Sequence, residues 1–392
     1  MNRKKIYFPG LNSIRFFAAS AVILHHVEQY KSWFGLPNIW GNSLLIDRLG
    51  HNAVSIFFVL SGFLITYLLL VEMQQTQTVA FKKFYLRRIL RIWPLYFFIV
   101  FLATCLLPYI IGFEVNEHAF DRMGLKLPLY LGILPNVMRL MDASHQIPGL
   151  NQAWSIGVEE QFYLIWPWFI WLCRKHLLKA LIIFIFFKLT ITFCLSGLLL
   201  TDGLNEQTVF ILKMGKQFWD LLLIEQMAVG AIGAYVLFNR HSILSFVMHP
   251  ATGILSFIMT IALLFNPLHF PGFPVLEAMV YVLFIINLSC NTSYFLKMEN
   301  AFYNYMGNVS YGIYMYHTVC ISLAISLLMH LNISDNLLFN LLVYPLSIGL
   351  TFGVSITSYN YFEKPFLKLK TKMAIVKSGQ KAIKPSPEKV KV

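Results

Sequence analysis

The feature that most constrains this chain is the length of its apolar runs. They recur at about 20 residues, which a helix needs to cross a bilayer core of roughly 30 Å. Repeated along the whole chain, such runs point to an all-α integral membrane protein, because in lipid each segment must satisfy its own backbone polar groups and a helix does so. Composition agrees: 57% of the 392 residues are hydrophobic and 12% charged, against roughly 25% charged in soluble proteins. The runs predict ten transmembrane helices, at 11–28, 51–72, 93–112, 153–173, 178–200, 217–238, 251–266, 274–290, 307–330 and 337–361. The first run is read as a membrane helix and not as a cleaved signal peptide. It contains Arg15, His25 and His26, and no small-residue cleavage site follows it.

The net charge of +13 lies in short loops between the runs, so it reads as a topology signal and not as a nucleic-acid interface. With a cytoplasmic N-terminus, the predicted inner loops carry Lys82, Lys83, Arg87, Arg88 and Arg91, then Arg174, Lys175 and Lys179, then Arg240. Eight more lysines follow Lys364, and the predicted outer loops are poorer in basic residues. Both termini are therefore expected to be cytoplasmic. Residues 126–141 are apolar but short and hold two prolines, so a re-entrant or interfacial segment is expected there and not a crossing. Residues 1–367 form the expected membrane domain. Residues 368–392 form a basic tail, expected to be disordered with its lysines against anionic lipid headgroups. The five cysteines include no CxxC pair, which points to reduced thiols and no metal site.

Ionisable residues inside membrane segments are costly, so each is a functional candidate. Arg15 and His26 are eleven residues apart. At 100° per residue they share one face to within about 20°, roughly 16 Å apart along the axis, while His25 is turned about 100° aside. The bland alternative is that Arg15 reaches the inner headgroups and His26 sits at the outer interface. Arg88 and Arg91, three residues apart at the start of the third run, would share a helix face and could grip phosphates bidentately. An ordinary basic inner loop would look the same. Glu159 and Glu160 open an apolar helix. The helix dipole explains one carboxylate there, and the second asks for a partner. On this topology Glu159 is expected at the depth of His26, as the carboxylate that orients a general base. His317 lies inside the ninth run and Glu363 closes the tenth. Lys188, Asp220 and Glu225 read equally well as a buried ion-pair group. The residues alone leave an enzyme and a polytopic transporter or flippase open, since both place buried charges near the midplane.

Taken in order, these stretches resemble the acyltransferase-3 family of membrane acyltransferases over nearly the whole chain, from Leu11 to about Leu367. Leu11 through Arg15 to His26 is similar to the family's opening Arg-x10-His helix. Gly50 through Ser61 to Ile65 looks like its most recognisable stretch. Phe84 to Pro94, with Tyr85, resembles its Arg-x-x-Arg loop, with Arg88 and Arg91 at the matching positions. Trp154-Ser155 through Phe162-Tyr163 is similar to one of its helix starts, and Glu225 to Gly230 is a looser match, with Glu where Asp is usual. Ser310 to His317 and Tyr361 to Pro365 resemble its closing motifs. Phe16 stands where Gly is common.

The resemblance implies an acyl-CoA co-substrate, most often acetyl-CoA, with no tightly bound cofactor. It also implies a hydroxyl acceptor on a polysaccharide, lipid-linked sugar or other glycosylated molecule, at the inner membrane of a bacterial envelope. His26 is the expected base, Glu159 its orienting carboxylate and Arg15 the stabiliser of developing charge, with Arg88 and Arg91 on the CoA phosphates. Ser61, Tyr85, Trp154, Ser155, Glu225, His317 and Glu363 are expected to line the site. A variant passes the acyl group through an acyl-histidine. The form without an additional extracytoplasmic hydrolase-like domain is expected. Membrane lipids, donor and glycan acceptor are the expected partners.

Overall fold

The structure, a computed structural model, describes residues 6–39, 44–109, 120–142, 146–266, 268, 270–333 and 336–376. The basic residues Arg3, Lys4 and Lys5, residues 110–112 of the third predicted helix and tail residues 377–392 lie outside the described residues.

The chain is an all-α polytopic membrane protein. Its helices are α1 (Leu11–Trp33), α2 (Leu44–Thr76), α3 (Phe81–Phe101), α4 (Met123–Leu131), α5 (Pro135–Met141), α6 (Ala153–Leu172), α7 (Leu177–Leu198), α8 (Glu206–Leu221), α9 (Ile224–Phe238), α10 (Leu244–Val247), α11 (Pro250–Leu264), α12 (Phe273–Cys290), α13 (Ala301–His330), α14 (Asn336–Ser358) and α15 (Lys364–Lys372). Short π-helical turns at Leu102–Leu106 and Tyr359–Glu363 extend α3 and join α14 to α15. Among the described residues, seven helical stretches are long and apolar enough to cross a membrane: Arg48–Thr76, Phe81–Tyr109, Leu177–Leu198, Glu206–Phe238, Phe273–Cys290, Ala301–His330 and Asn336–Lys372. Every predicted segment coincides with a helix, but α1, α6 and α11 fall outside this set of seven.

Large apolar side chains line the outside. Ile183, Phe186 and Phe187 of α7, Leu255 and Ile258 of α11, and Leu337 and Leu341 of α14 are all more than half exposed. Water would penalise such a surface, whereas lipid accepts it. The centre is built where helices meet most closely. A Cβ at Gly62 of α2 would lie 1.9 Å from the Met227 carbonyl oxygen, and one at Gly230 of α9 would lie 2.1 Å from that of Val59. The two backbones therefore touch directly, the small-residue packing expected where both helices would otherwise prefer lipid. α1 packs along α2 and α13, and α13 along α14.

Several boundaries differ from expectation, and α3 begins at Phe81 where the apolar run pointed to residue 93. α1 continues past residue 28 to Trp33. Lys31 bonds Glu28 at 2.7 Å and Asn340 at 2.6 Å, and Tyr344 donates to Glu28 at 2.5 Å, so paired charges stay buried inside the helix. The predicted 217–238 helix is broken at Leu222 and Leu223 between α8 and α9. The Lys188 ammonium donates to the Trp219 carbonyl there, satisfying an acceptor at the end of α8. Residues 126–141 agree with expectation: they form parts of two helices of nine and seven residues, neither long enough to cross. Tail residues 368–372 are helical, against the disorder that composition predicts. Arg87 of α3 donates to the Met373 carbonyl at 3.4 Å and ties that end down.

Candidate active site

The N-terminal half of α1, α2, α3, α6, α13 and α15 enclose a cavity of about 330 Å³. Arg15, Arg87, Arg88, Arg91 and Lys370 line it against two carboxylates, Glu72 and Glu159. Arg87 is paired with Glu72 at 3.4 Å. Arg88 lies over the Tyr163 ring at 5.1 Å and the Phe84 ring at 5.8 Å. Arg15 donates to Asn12 at 3.1 Å. Arg88 and Arg91 thus share a face, as their spacing predicts, and Arg15 joins them from a different helix. A cavity with five cations and two anions suits a polyanion.

Glu159 sits in the wall of this cavity. Its Oε1 accepts from Ser61 Oγ at 2.7 Å, and Tyr163 donates to Ser61 at 3.3 Å. The neighbouring Glu160 accepts from Trp93 Nε1 at 2.9 Å. The predicted His26–Glu159 contact is not formed. Asn151 accepts from Tyr30 at 2.7 Å, and Ser155 shares a 2.6 Å hydrogen bond with Tyr314, which fixes the height of α6 against α1 and α13. Counted from those two contacts at 1.5 Å per residue, Glu159 lies one to two turns, roughly 6–10 Å, from His26 toward the start of α1. The two residues sit at different heights because α6 begins inside the protein, after the largely buried residues 146–152, and not at its surface.

His26 instead pairs with His317. The rings are 4.7 Å apart by centroid, and His317 Nε2 lies 3.3 Å from His26 Nδ1. His26 Nδ1 is also 2.9 Å from the Val22 carbonyl oxygen, and His317 Nδ1 is 2.7 Å from that of Tyr314. A carbonyl oxygen only accepts, so both imidazoles carry their proton on Nδ1 when neutral. His317 Nε2 then has a lone pair to accept from His26 Nδ1–H, and His26 Nε2 is left basic. His25 turns aside, as expected, against α2, where a Cβ on Gly50 would meet its ring at 2.5 Å.

The remaining expected residues divide. Ser61 and Ser155 line the cavity. The Ser155–Tyr314 hydrogen bond closes the end nearest the histidines, and the Tyr314 ring lies 5.7 Å from His317 just beyond. Tyr85 donates to the Leu164 carbonyl at 2.7 Å and is not part of the lining. Trp154 packs against Phe58 and His51, with Arg139 over its ring at 5.1 Å. Glu225 pairs with Lys188 at 3.6 Å, the structural reading the sequence allowed. Glu363 accepts from Ser358 at 3.4 Å, which also receives Tyr316 at 3.0 Å, away from the cavity. Tyr163, Tyr314 and Lys370 were not singled out from sequence. Tyr163 and Tyr314 sit inside the motifs, and nothing in the tail marked Lys370.

A family model described as an acyltransferase domain matches residues 8–360. Peptidoglycan O-acetyltransferase OatA of Listeria monocytogenes is 26% identical over 382 residues, covering 92% of this chain and 56% of that protein. A Staphylococcus aureus protein named as a putative O-acetyltransferase is 27% identical, covering 93% of this chain and 58% of its own length. The Bacillus subtilis protein YrhL, named as a putative peptidoglycan O-acetyltransferase, is 30% identical over 168 residues, or 42% of this chain and 24% of that protein. The chain thus spans a little over half the length of the first two. No solved structure matches.

Proposed function

This chain belongs to the acyltransferase-3 family, and from that premise we propose that it is a membrane O-acyltransferase. It moves an acyl group, acetyl by the names of its relatives, from acyl-CoA to a hydroxyl of a cell-envelope glycan. The observation that carries this reading is the cationic cavity ending one side-chain pair short of the paired histidines. Arg15, Arg88 and Arg91 hold the CoA phosphates, and the thioester reaches past Ser155 and Tyr314 toward His26. His26 Nε2 takes the proton from the acceptor hydroxyl as its oxygen attacks the thioester carbonyl carbon. The C–S bond breaks, and the CoA thiolate recovers the proton from the imidazolium. His317 Nε2, accepting from His26 Nδ1–H, steadies that imidazolium in the role first expected of Glu159. Glu159 with Ser61 instead belongs to the donor cavity. An acyl-His26 intermediate uses the same atoms in two steps.

The chain lies in the inner membrane with ten crossings and both termini cytoplasmic, by the basic residues that open α3 and those that follow α6 and α9. That orientation opens the cationic cavity to cytosolic acyl-CoA. The test is release of CoA from labelled acetyl-CoA by purified protein in lipid, with and without cell-wall glycan fragments. Label appearing on glycan oxygen supports the reading. Glycan that crosses the bilayer unmodified, with acetyl-CoA intact, replaces it with transport.

A further inference from the structure

A second cavity, of about 480 Å³, lies at the opposite end of α2 from most of the donor cavity, among α5, α7, α8, α9 and α12. Arg48, Arg139, Lys188 and Lys216 line it with Asp220 and Glu225. The two lysines are already engaged. Lys188 pairs with Glu225 at 3.6 Å and Lys216 with Asp220. Lys188 also lies 4.3 Å from the centre of the Trp219 ring. The two arginines are different. Neither Arg48 nor Arg139 has a carboxylate within ion-pair reach among the described residues, and the only contact of this kind for Arg139 is the face of Trp154. The Glu277 carboxylate acts on Arg48 from outside the lining without forming an ion pair, and the lining itself holds two half-buried guanidiniums more than its carboxylates pair. Such an excess is costly unless an anion fills it.

This cavity backs onto the histidine pair. His51 lines it and stacks on Trp154, with ring centroids 6.5 Å apart. The adjacent Gly50 packs against His25, whose ring is 4.8 Å from that of His26. The donor cavity approaches the same pair from the other side, at Ser155 and Tyr314. Phe270, Pro271 and Pro274 give the second cavity an apolar wall that a sugar face could lie on.

We infer that this cavity is the acceptor site, and that it selects acceptors carrying a carboxylate or phosphate, held by Arg48 and Arg139, with the reacting hydroxyl presented across Trp154 and His51 toward His26. The inference rests on the acyltransferase reading for the role of the bound sugar, but the anion site itself does not. Guanidinium forks bind both oxyanions in the same geometry, and a lipid headgroup offers the same chemistry as a glycan phosphate, so the test separates the two.

The test is direct binding to the full chain in phosphatidylcholine nanodiscs, read by calorimetry or saturation-transfer NMR. The probes are cellobiouronate, a disaccharide with one carboxylate, and its neutral counterpart cellobiose. The wild type is expected to bind cellobiouronate more tightly than cellobiose. Arg48→Gln and Arg139→Gln should each weaken the charged sugar by at least about tenfold, the loss of one charge-assisted hydrogen bond. Arg139→Lys should fall in between, and bound acetyl-CoA should not displace the sugar. Equal binding of the two sugars, absence of binding, unchanged binding in both Gln variants or displacement by acetyl-CoA would each overturn the inference. Loss of sugar binding when phosphatidylglycerol replaces phosphatidylcholine would assign the cavity to a lipid headgroup and overturn it too. Intact, arginine-dependent binding without any acetyl transfer would count against the enzyme reading and leave the anion site standing.

Discussion

Replacing His317 should slow the chemistry without weakening donor binding. His317 Nε2 lies 3.3 Å from His26 Nδ1, and among the described residues the other acceptor at that nitrogen is the Val22 carbonyl oxygen at 2.9 Å. When His26 takes a proton, the Nδ1–H bond to His317 becomes charge-assisted. A hydrogen bond to a charged group contributes about 1.5–3 kcal/mol, so His317→Ala should lower kcat by roughly ten- to hundredfold. Val22 still holds the tautomer, which is why the loss should stay smaller than that of the base itself. His317→Gln can place an amide oxygen near the lost Nε2 and should recover part of the rate. KM for acetyl-CoA should stay within about twofold, because the Ser155–Tyr314 pair stands between His317 and the cationic cavity. The assay is acetyl transfer at matched membrane expression, with kcat and KM separated. A wild-type rate in His317→Ala would refute the reasoning, as would a Gln variant no better than Ala.

Arg88→Ala and Arg91→Ala should raise KM for acetyl-CoA about tenfold or more and KM for the glycan far less, with Lys restoring only part because it lacks the bidentate fork; equal effects on both substrates would make these residues topology charges. Glu159→Gln should alter the acetyl-CoA KM and leave the acidic limb of the pH–rate profile in place, since Glu159 bonds Ser61 and not His26. A displaced limb would bring Glu159 back as the partner of the base. A reporter active only in the cytoplasm, fused after Lys175 or Arg240, should be active at both positions, and silence at Arg240 would require an odd number of crossings before it.

The apolar helices were legible because lipid imposes one local rule on each, and a run of apolar residues obeys it without reference to the rest of the chain. What sequence missed depends on distant partners. Glu28 and Lys31 looked like the end of α1, but Asn340 and Tyr344 pair with them from α14. The break between α8 and α9 runs through leucines, and Lys188 of α7 caps a carbonyl there. In the site, Arg15, Arg88, Arg91 and His26 were legible from spacing on single helices. The partner of His26 was not, because it depends on the offset of α6 and α13 against α1. That offset is set by Asn151 on Tyr30 and Ser155 on Tyr314. His317 was visible as a buried histidine, but nothing in its own helix announced which face met α1.

His26 is the group proposed to accept the proton of the attacking hydroxyl. The measurement that tests this most directly is transfer of labelled acetyl from acetyl-CoA to cell-wall glycan by wild type, His26→Ala and His25→Ala, at matched expression and with acetyl-CoA binding measured on the same preparations. Loss of a general base typically costs roughly a hundred- to ten-thousandfold. His26→Ala should fall by that amount while still binding acetyl-CoA, and His25→Ala should keep most of its rate. A His26→Ala protein that transfers acetyl at the wild-type rate would contradict the account.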